Sequence, residues 1–126
     1  MTDLSSVYSD IVCDKVFRGT AGKLVAKSGA RPDLKGYAYL IDAVILYGTA
    51  VSESFCEIYR IIGELRRQKP KTVMRELGYC IAQSHSMPDG LSALVGVPIK
   101  LSDIYSGMVI SCLGEIFKQP DPSLYD

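Results

Sequence analysis

Apolar residues recur along most of the chain three and four positions apart, which is the repeat of one face of an α-helix. The longest such face, in the middle of the sequence, consists of Leu34, Tyr37, Leu40, Ile41, Val44, Ile45 and Tyr47. A face this broad is typical of a central helix that is largely buried. Strand-like alternation is confined to residues 95–101, which contain a glycine and a proline. The pattern therefore predicts an all-α fold.

Ahead of the central helix, the apolar period predicts a first helix over about residues 3–18, which Gly19 and Gly22 interrupt. A short helix follows and ends near Gly29. Asp33, in an Arg-Pro-Asp turn, is placed to cap the central helix.

Two further helices are predicted close together after Gly48. The apolar stripe of the first is formed by Val51, Phe55, Ile58 and Ile62. This helix ends near Gly63 and the pair Arg66-Arg67, and after a turn of about four residues Pro70 suits the first position of the next helix. The stripe of the second helix is formed by Val73, Leu77, Cys80 and Ile81, which turns the opposite face outward, with Lys71, Met74, Arg75 and Gly78. The pair has the outline of a helix-turn-helix.

The C-terminal part of the sequence predicts a turn and one last helix. The turn is expected over residues 87–90 and is followed by a short apolar piece, residues 91–95, with a second break at Gly96 and Pro98. The last helix is expected to begin near Ser102, with Ser102 or Asp103 as its cap. Its stripe consists of Ile104, Met108, Cys112, Ile116 and Phe117.

Length and hydrophobic content fit a single domain with one core, because 126 residues of which 48% are hydrophobic are sufficient for one. We expect residues 1–30 to be a helical extension, residues 31–118 a helix-turn-helix core and residues 119–126 a flexible tail. The residues expected in the core are Tyr37, Leu40, Val44, Phe55, Ile58, Ile62, Val73, Leu77, Ile81, Met108 and Cys112.

The charge pattern is neutral overall and basic in one place. The net charge is zero, which argues against indiscriminate nucleic-acid binding. Between residues 60 and 75, however, a single acid, Glu64, accompanies Arg60, Arg66, Arg67, Lys69, Lys71 and Arg75. A solvated helix face is the plainest interpretation of such a cluster. A DNA-binding surface is the alternative.

The remaining chemistry indicates neither an enzyme nor a metal protein. The cysteines Cys13, Cys56, Cys80 and Cys112 lie far apart among apolar neighbours, so we interpret them as buried, reduced thiols without mutual disulfides. His85 is the only histidine, and the acids Asp42, Glu53, Glu57, Glu76 and Glu115 are scattered over helices whose polar faces explain them. We expect no cofactor.

The sequence contains no run of about 20 apolar residues that could cross a bilayer, and its first residues lack the basic start and apolar stretch of a secretory leader. We therefore expect a cytoplasmic protein of bacterial type with no membrane partner.

Several motifs resemble the DNA-binding effector domain of the stage-zero sporulation protein A family. The run Lys35-Gly-Tyr-Ala-Tyr-Leu-Ile-Asp-Ala-Val is similar to the family's K-G-Y-x-Y-L-x-x-A-I signature. Weaker matches follow in the family's order and spacing: Ile58-Tyr59, Ile62-Gly63, Val73, Arg75, Ile81, Leu94, Gly96 and the run from Ser102 to Val109. Together they cover roughly residues 30–118.

The resemblance implies a six-helix, winged-helix-like fold whose helix from Pro70 onward enters the major groove of DNA. Arg75 is kept from the family's reading helix, whereas its arginine, glutamate and second arginine are replaced by Thr72, Met74 and Gly78. A changed or relaxed site preference follows, because each such contact contributes about 1–3 kcal/mol of discrimination. Residues 1–30 are too few for the family's receiver domain, so we expect no aspartyl phosphorylation within this chain.

These observations favour a stand-alone, DNA-binding transcriptional regulator whose partner is double-stranded DNA. The resemblance implies head-to-tail association of two copies on DNA, and a free monomer is equally compatible with the sequence. Another regulatory protein is the alternative partner. The residues expected to contact DNA are Arg66, Arg67, Lys69, Lys71, Thr72 and Arg75. Of these, Arg75 is expected at a base edge and Thr72 at either a base or a phosphate, with the others on phosphates. The alternative is a protein-interaction module that kept the fold and lost sequence readout.

Overall fold

The computed structural model describes residues 4–119, which form helices and connecting turns and contain no strand. The helices are α1 (Leu4–Val12), α2 (Lys15–Lys27), α3 (Lys35–Gly48), α4 (Phe55–Arg66), α5 (Pro70–Gln83), α6 (Met87–Val95) and α7 (Ser106–Lys118), with a 3-10 turn (Leu101–Asp103) before α7. The predicted all-α bundle is confirmed. A wing is a β-hairpin, and the described residues have none, so the winged-helix part of the expectation is not confirmed.

Helix α3 is the centre of the bundle, as its broad apolar face predicts. All eight residues from Tyr39 to Leu46 are buried, including Asp42. Helices α2, α4, α5 and α7 pack around α3, and α1 lies across α3 and α4. The other helices are therefore positioned chiefly by what they contact on α3.

The prediction of a single N-terminal helix over residues 3–18 is wrong. Two helices, α1 and α2, are separated there by Cys13 and Asp14. The Asp14 carboxylate accepts a hydrogen bond from the backbone N–H of Phe17 at 3.0 Å, which caps α2. Gly19 and Gly22 lie inside α2 and do not end it. Burial of the apolar residues of α2 offsets the helix-propensity cost of about 1 kcal/mol for each glycine.

Asp33 does not cap α3, contrary to expectation. The cap position is Leu34, which makes no side-chain capping bond. The Asp33 carboxylate instead forms a bidentate ion pair with Arg31, and this hydrogen-bonded pair lowers the pKa of Asp33. Arg31 and Asp33 lie two residues apart in an exposed turn. Their side chains pair with each other, and the Asp33 carboxylate therefore makes no capping bond to α3.

The C-terminal elements begin at other residues than predicted. Residues 87–90, expected to be a turn, form the start of α6, where Pro88 lies in the first helical turn and is tolerated because that turn has no N–H partner to lose. Helix α7 begins at Ser106 rather than near Ser102. Its fully buried face consists of Val109, Ile110, Leu113 and Gly114, whereas the predicted stripe residues Met108 and Cys112 are half-buried.

The predicted core is confirmed in its centre and displaced at its edge. Of the expected residues, those buried are Leu40, Val44, Ile58, Ile62, Val73, Leu77 and Ile81. The half-buried ones are Tyr37, Phe55, Met108 and Cys112, of which the first three pack against the core from its periphery. Core residues also come from the N-terminal segment, namely Val12, Ala21, Leu24, Val25 and Ala30. The described part of that segment thus belongs to the core, and the rest of the predicted tail beyond Gln119 lies outside the described residues.

A buried carboxylate joins four of the helices. Asp42 has no solvent exposure and accepts hydrogen bonds of 2.9 Å from Nε and Nη2 of Arg66 at the end of α4. Its Oδ1 also accepts 2.9 Å from Nη1 of Arg18 in α2, and the same Nη1 donates to the carbonyl of Val12 at the end of α1. The expectation that a polar helix face explains Asp42 is therefore wrong.

We predict that Asp42→Asn lowers the free energy of unfolding by about 2–3 kcal/mol. Removing one partner of a buried pair usually costs about 3–5 kcal/mol, and here the partial exposure of both guanidinium groups reduces the loss. Urea unfolding followed by circular dichroism measures the change. Asp33→Asn, which breaks an exposed pair, is the matched control and should leave stability unchanged; an equal effect in both variants would contradict the prediction.

Candidate nucleic-acid interface

Helices α4 and α5 are joined by a turn of three residues, 67–69, one fewer than predicted. Ser54 caps α4 at its start by accepting a bond from the N–H of Glu57 at 3.4 Å. At its end Arg67 adopts the left-handed conformation with φ 56°, and the N–H of Gln68 donates to the carbonyl of Gly63 at 2.8 Å. Pro70 occupies the first position of α5, as predicted.

The tightness of this turn depends on Gly63. A Cβ atom at Gly63 would lie 2.5 Å from the carbonyl oxygen of Gln68, so the backbone of the turn packs directly on the backbone of α4. The sequence indicated Gly63 as a mark of the helix end, whereas it lies buried within α4. Its lack of a side chain sets the angle at which α5 leaves α4.

A second close approach fixes α5 from the other side. Gly36 in the first turn of α3 is buried, and a Cβ atom there would collide with the carbonyl oxygen of Glu76 and lie 2.6 Å from Cβ of Cys80. The backbone of α3 therefore touches that of α5. This contact gives the glycine of the Lys35-Gly36-Tyr37 run a structural role.

Helix α5 presents the two faces that its sequence predicts. Its stripe Val73, Leu77, Cys80 and Ile81 is buried. On the opposite face Lys71, Met74 and Arg75 are exposed and Gly78 is half-buried. The first turns of α5 and the turn before it thus form one outward surface, as a recognition helix requires.

Two of the six basic residues counted in the sequence are hydrogen-bonded to carboxylates. The guanidinium of Arg60 lies between Glu57 and Glu64, which hold it by hydrogen bonds from Nε to Glu57 at 3.1 Å and from Nη1 to Glu64 at 2.8 Å. This contact lowers the pKa of Glu57. Arg66, expected on a DNA phosphate, directs its Nε and Nη2 at Asp42. The sequence count missed Glu57 and Asp42, because helical spacing and folding bring them to these arginines.

The other four basic residues lie on the outward surface. Arg67, Lys69 and Lys71 are exposed and form no ion pair with any residue between 4 and 119. Arg75 has a side chain that is 71% exposed, with only a 3.8 Å contact to Glu76. Thr72, the sixth predicted site residue, is half-buried beside them. We call Arg67, Lys69, Lys71 and Arg75 the basic surface.

No group of three or more potential metal ligands comes together within the described residues. All four cysteines are unpaired thiols, as predicted, but only Cys80 is buried, while Cys13 and Cys56 are exposed, contrary to expectation. Burial raises the pKa of the Cys80 thiol, which donates to the carbonyl of Arg31. None of the described helices has the length and apolar character needed to span a membrane.

Comparison with protein-family models, curated proteins and solved structures finds no match to this chain. The likeness to the effector domain of the sporulation regulator stays a prediction that rests on the sequence motifs.

We predict opposite effects of the same substitution at two glycines near or on α5. Gly78→Ala should raise the free energy of unfolding by about 0.5–1 kcal/mol, because alanine favours a helix and the nearest atom to its Cβ would be Ser106 Oγ at 3.7 Å. Gly36→Ala should lower it by about 1–3 kcal/mol, because its Cβ overlaps the backbone of α5. Chemical unfolding of both variants measures the difference, and a destabilised Gly78→Ala would contradict the geometry.

Proposed function

We propose that this protein is a DNA-binding transcriptional regulator that uses α4, the turn and α5 as a helix-turn-helix. The observation that carries the proposal is the separation of the basic residues into two groups. Arg60 and Arg66 are engaged by carboxylates, whereas the basic surface is concentrated on the turn and on the outward face of α5. That is where a recognition helix meets DNA.

The residues have distinct roles in this proposal. Arg67, Lys69 and Lys71 neutralise phosphates and position the protein, and Arg75 reads a base edge. Thr72 contacts either a phosphate or a base. Arg66 acts indirectly, because its ion pair with Asp42 fixes the end of α4 and so the start of the turn. This role replaces the phosphate contact expected of Arg66.

The overall charge limits the affinity for unrelated DNA. With no net charge, the chain has no general attraction to phosphates, so binding depends on about three phosphate contacts at the basic surface. A slope of about −3 in a plot of log affinity against log salt concentration follows from this number. We expect weak binding to random duplexes and a site preference unlike that of the sporulation regulator, whose reading side chains are mostly replaced here.

We predict that Lys69→Ala and Lys71→Ala each weaken binding by the same factor on every duplex, and that each reduces the magnitude of the salt slope by about one unit. Fluorescence anisotropy on several duplexes over a salt series measures both quantities. Lys23→Ala, which removes an exposed lysine from α2, is the matched control and should change neither. Absence of binding to any duplex at low salt would refute the proposed function.

Arg75→Ala is expected to act on sequence preference instead. A duplex pool with a random centre, selected for binding, first supplies the best site. On that site Arg75→Ala should cost about 1–3 kcal/mol, and on unrelated duplexes much less, since the lost contact reads a base. A uniform loss on all duplexes would instead make Arg75 a phosphate contact.

A protein-interaction module is the second candidate, and a specific feature favours it. A groove of about 390 Å³ between α6 and α7 is lined mainly by Leu94, Val95, Cys112 and Ile116. Apolar surface of this kind is common where proteins meet. The DNA experiments above separate the candidates, because a module without DNA contacts binds no duplex even at low salt, and loss of readout alone leaves equal affinity for every duplex.

A further inference from the structure

An apolar notch lies beside the basic surface, between the first turns of α4 and α5. It has a volume of about 140 Å³ and is lined by Cys56, Tyr59, Pro70, Lys71 and Met74. Cys56 is exposed and Met74 is 49% exposed, so the notch opens to the outside. Met74 and Lys71 also belong to the outward face of α5, which places the notch at the edge of that face.

The wall that Tyr59 provides is fixed and uncharged. Its side chain is buried, and burial raises the pKa of the phenol. Met74 also lines the notch, and its side chain is unbranched with a polarizable thioether, so it adjusts to small apolar groups. The notch therefore combines a rigid wall with an adaptable one.

The basic side chain at the notch indicates the charge of its occupant. Lys71 is the basic residue that lines it, and Lys69 and Arg75 lie two residues before and four residues after Lys71 in the sequence. An apolar notch with a lysine at its edge complements a partner that carries negative charge and small apolar groups together. The DNA major groove is such a partner, because phosphates border it and its apolar group is the C5-methyl of thymine.

We propose that the notch accepts a thymine C5-methyl group and that Met74 thereby specifies a T·A base pair beside the one that Arg75 reads. Met74 and Arg75 are successive residues whose side chains diverge around the helix, so they reach neighbouring base pairs. This inference rests on the proposed function and deepens it. It also assigns a role to a residue that replaces a charged reading side chain of the sporulation regulator.

The test removes only the methyl group. In the selected duplex each thymine is replaced in turn by deoxyuridine, which keeps the hydrogen-bonding pattern of the base pair. At one or two positions the affinity should fall about fourfold, as expected for one buried methyl group. In Met74→Ala the ratio of thymine to uracil affinities at those positions should approach one.

Two further variants secure the interpretation. Cys56→Ser, which alters another wall of the notch, should also reduce the thymine-to-uracil ratio, so the test does not depend on the Met74 variant alone. Tyr79→Ala, an exposed residue on α5 outside the notch, is the matched control and should keep the wild-type ratio.

The outcomes distinguish this inference from the proposed function. Specific binding in which uracil replaces every thymine without loss would overturn the methyl site and leave the DNA-binding proposal intact. Discrimination that persists in both notch variants would also overturn it, by placing the methyl reader elsewhere. Absence of binding to any duplex would overturn both.

Discussion

The structure depends most on one carboxylate that cannot reach water. Asp42 lies in the middle of α3, and burial of an unpaired charge there would be strongly unfavourable. Folding must therefore bring two guanidinium groups to it, that of Arg66 at the end of α4 and that of Arg18 near the start of α2. Because Arg66 ends α4, the same ion pair fixes the point at which the turn begins. The position of the surface that α5 forms thus depends on an ion pair in the core.

Beyond the end of α4, the position of α5 depends on two glycines that have no side chain to keep the backbones apart. Gly63 lets the turn lie on α4, and Gly36 lets α3 lie on α5, each at a distance that a methyl group would prevent. Close-packed interiors relax little, so contacts between backbones fix angles more firmly than contacts between flexible side chains. The outward face of α5 is therefore a rigid platform, and its binding properties depend on which side chains it carries.

The sequence predicted those parts of the fold that local burial determines. The apolar stripes of α3 and α5 and the proline start of α5 are confirmed, because periodicity and proline geometry act within a few residues. The break at Asp14 was missed because a capping aspartate within a periodic run looks like an exposed helical residue. The start of α6 was missed because Met-Pro-Asp-Gly suits a turn and a helix start equally. Partners such as Asp42 and Arg66, 24 residues apart, come from tertiary packing, although a lone acid in an apolar helix was a signal for a buried pair.

Under the proposed function, the division of the basic residues into paired and unpaired groups limits how strongly the protein binds DNA of any sequence. The chain has equal numbers of acids and bases, and a basic side chain that pairs internally is less available to a polyanion. Among the basic residues of α4, the turn and α5, those of the basic surface have no hydrogen-bonded carboxylate within the described residues. Few phosphate contacts mean little binding energy that is independent of sequence. Under the proposed function, discrimination on such a platform comes largely from uncharged side chains, and the outward face of α5 carries Thr72 and Met74 beside Arg75. Under the proposed function, the absence of most charged reading residues that the resemblance implies shifts readout from hydrogen bonds with base edges toward contact with methyl groups.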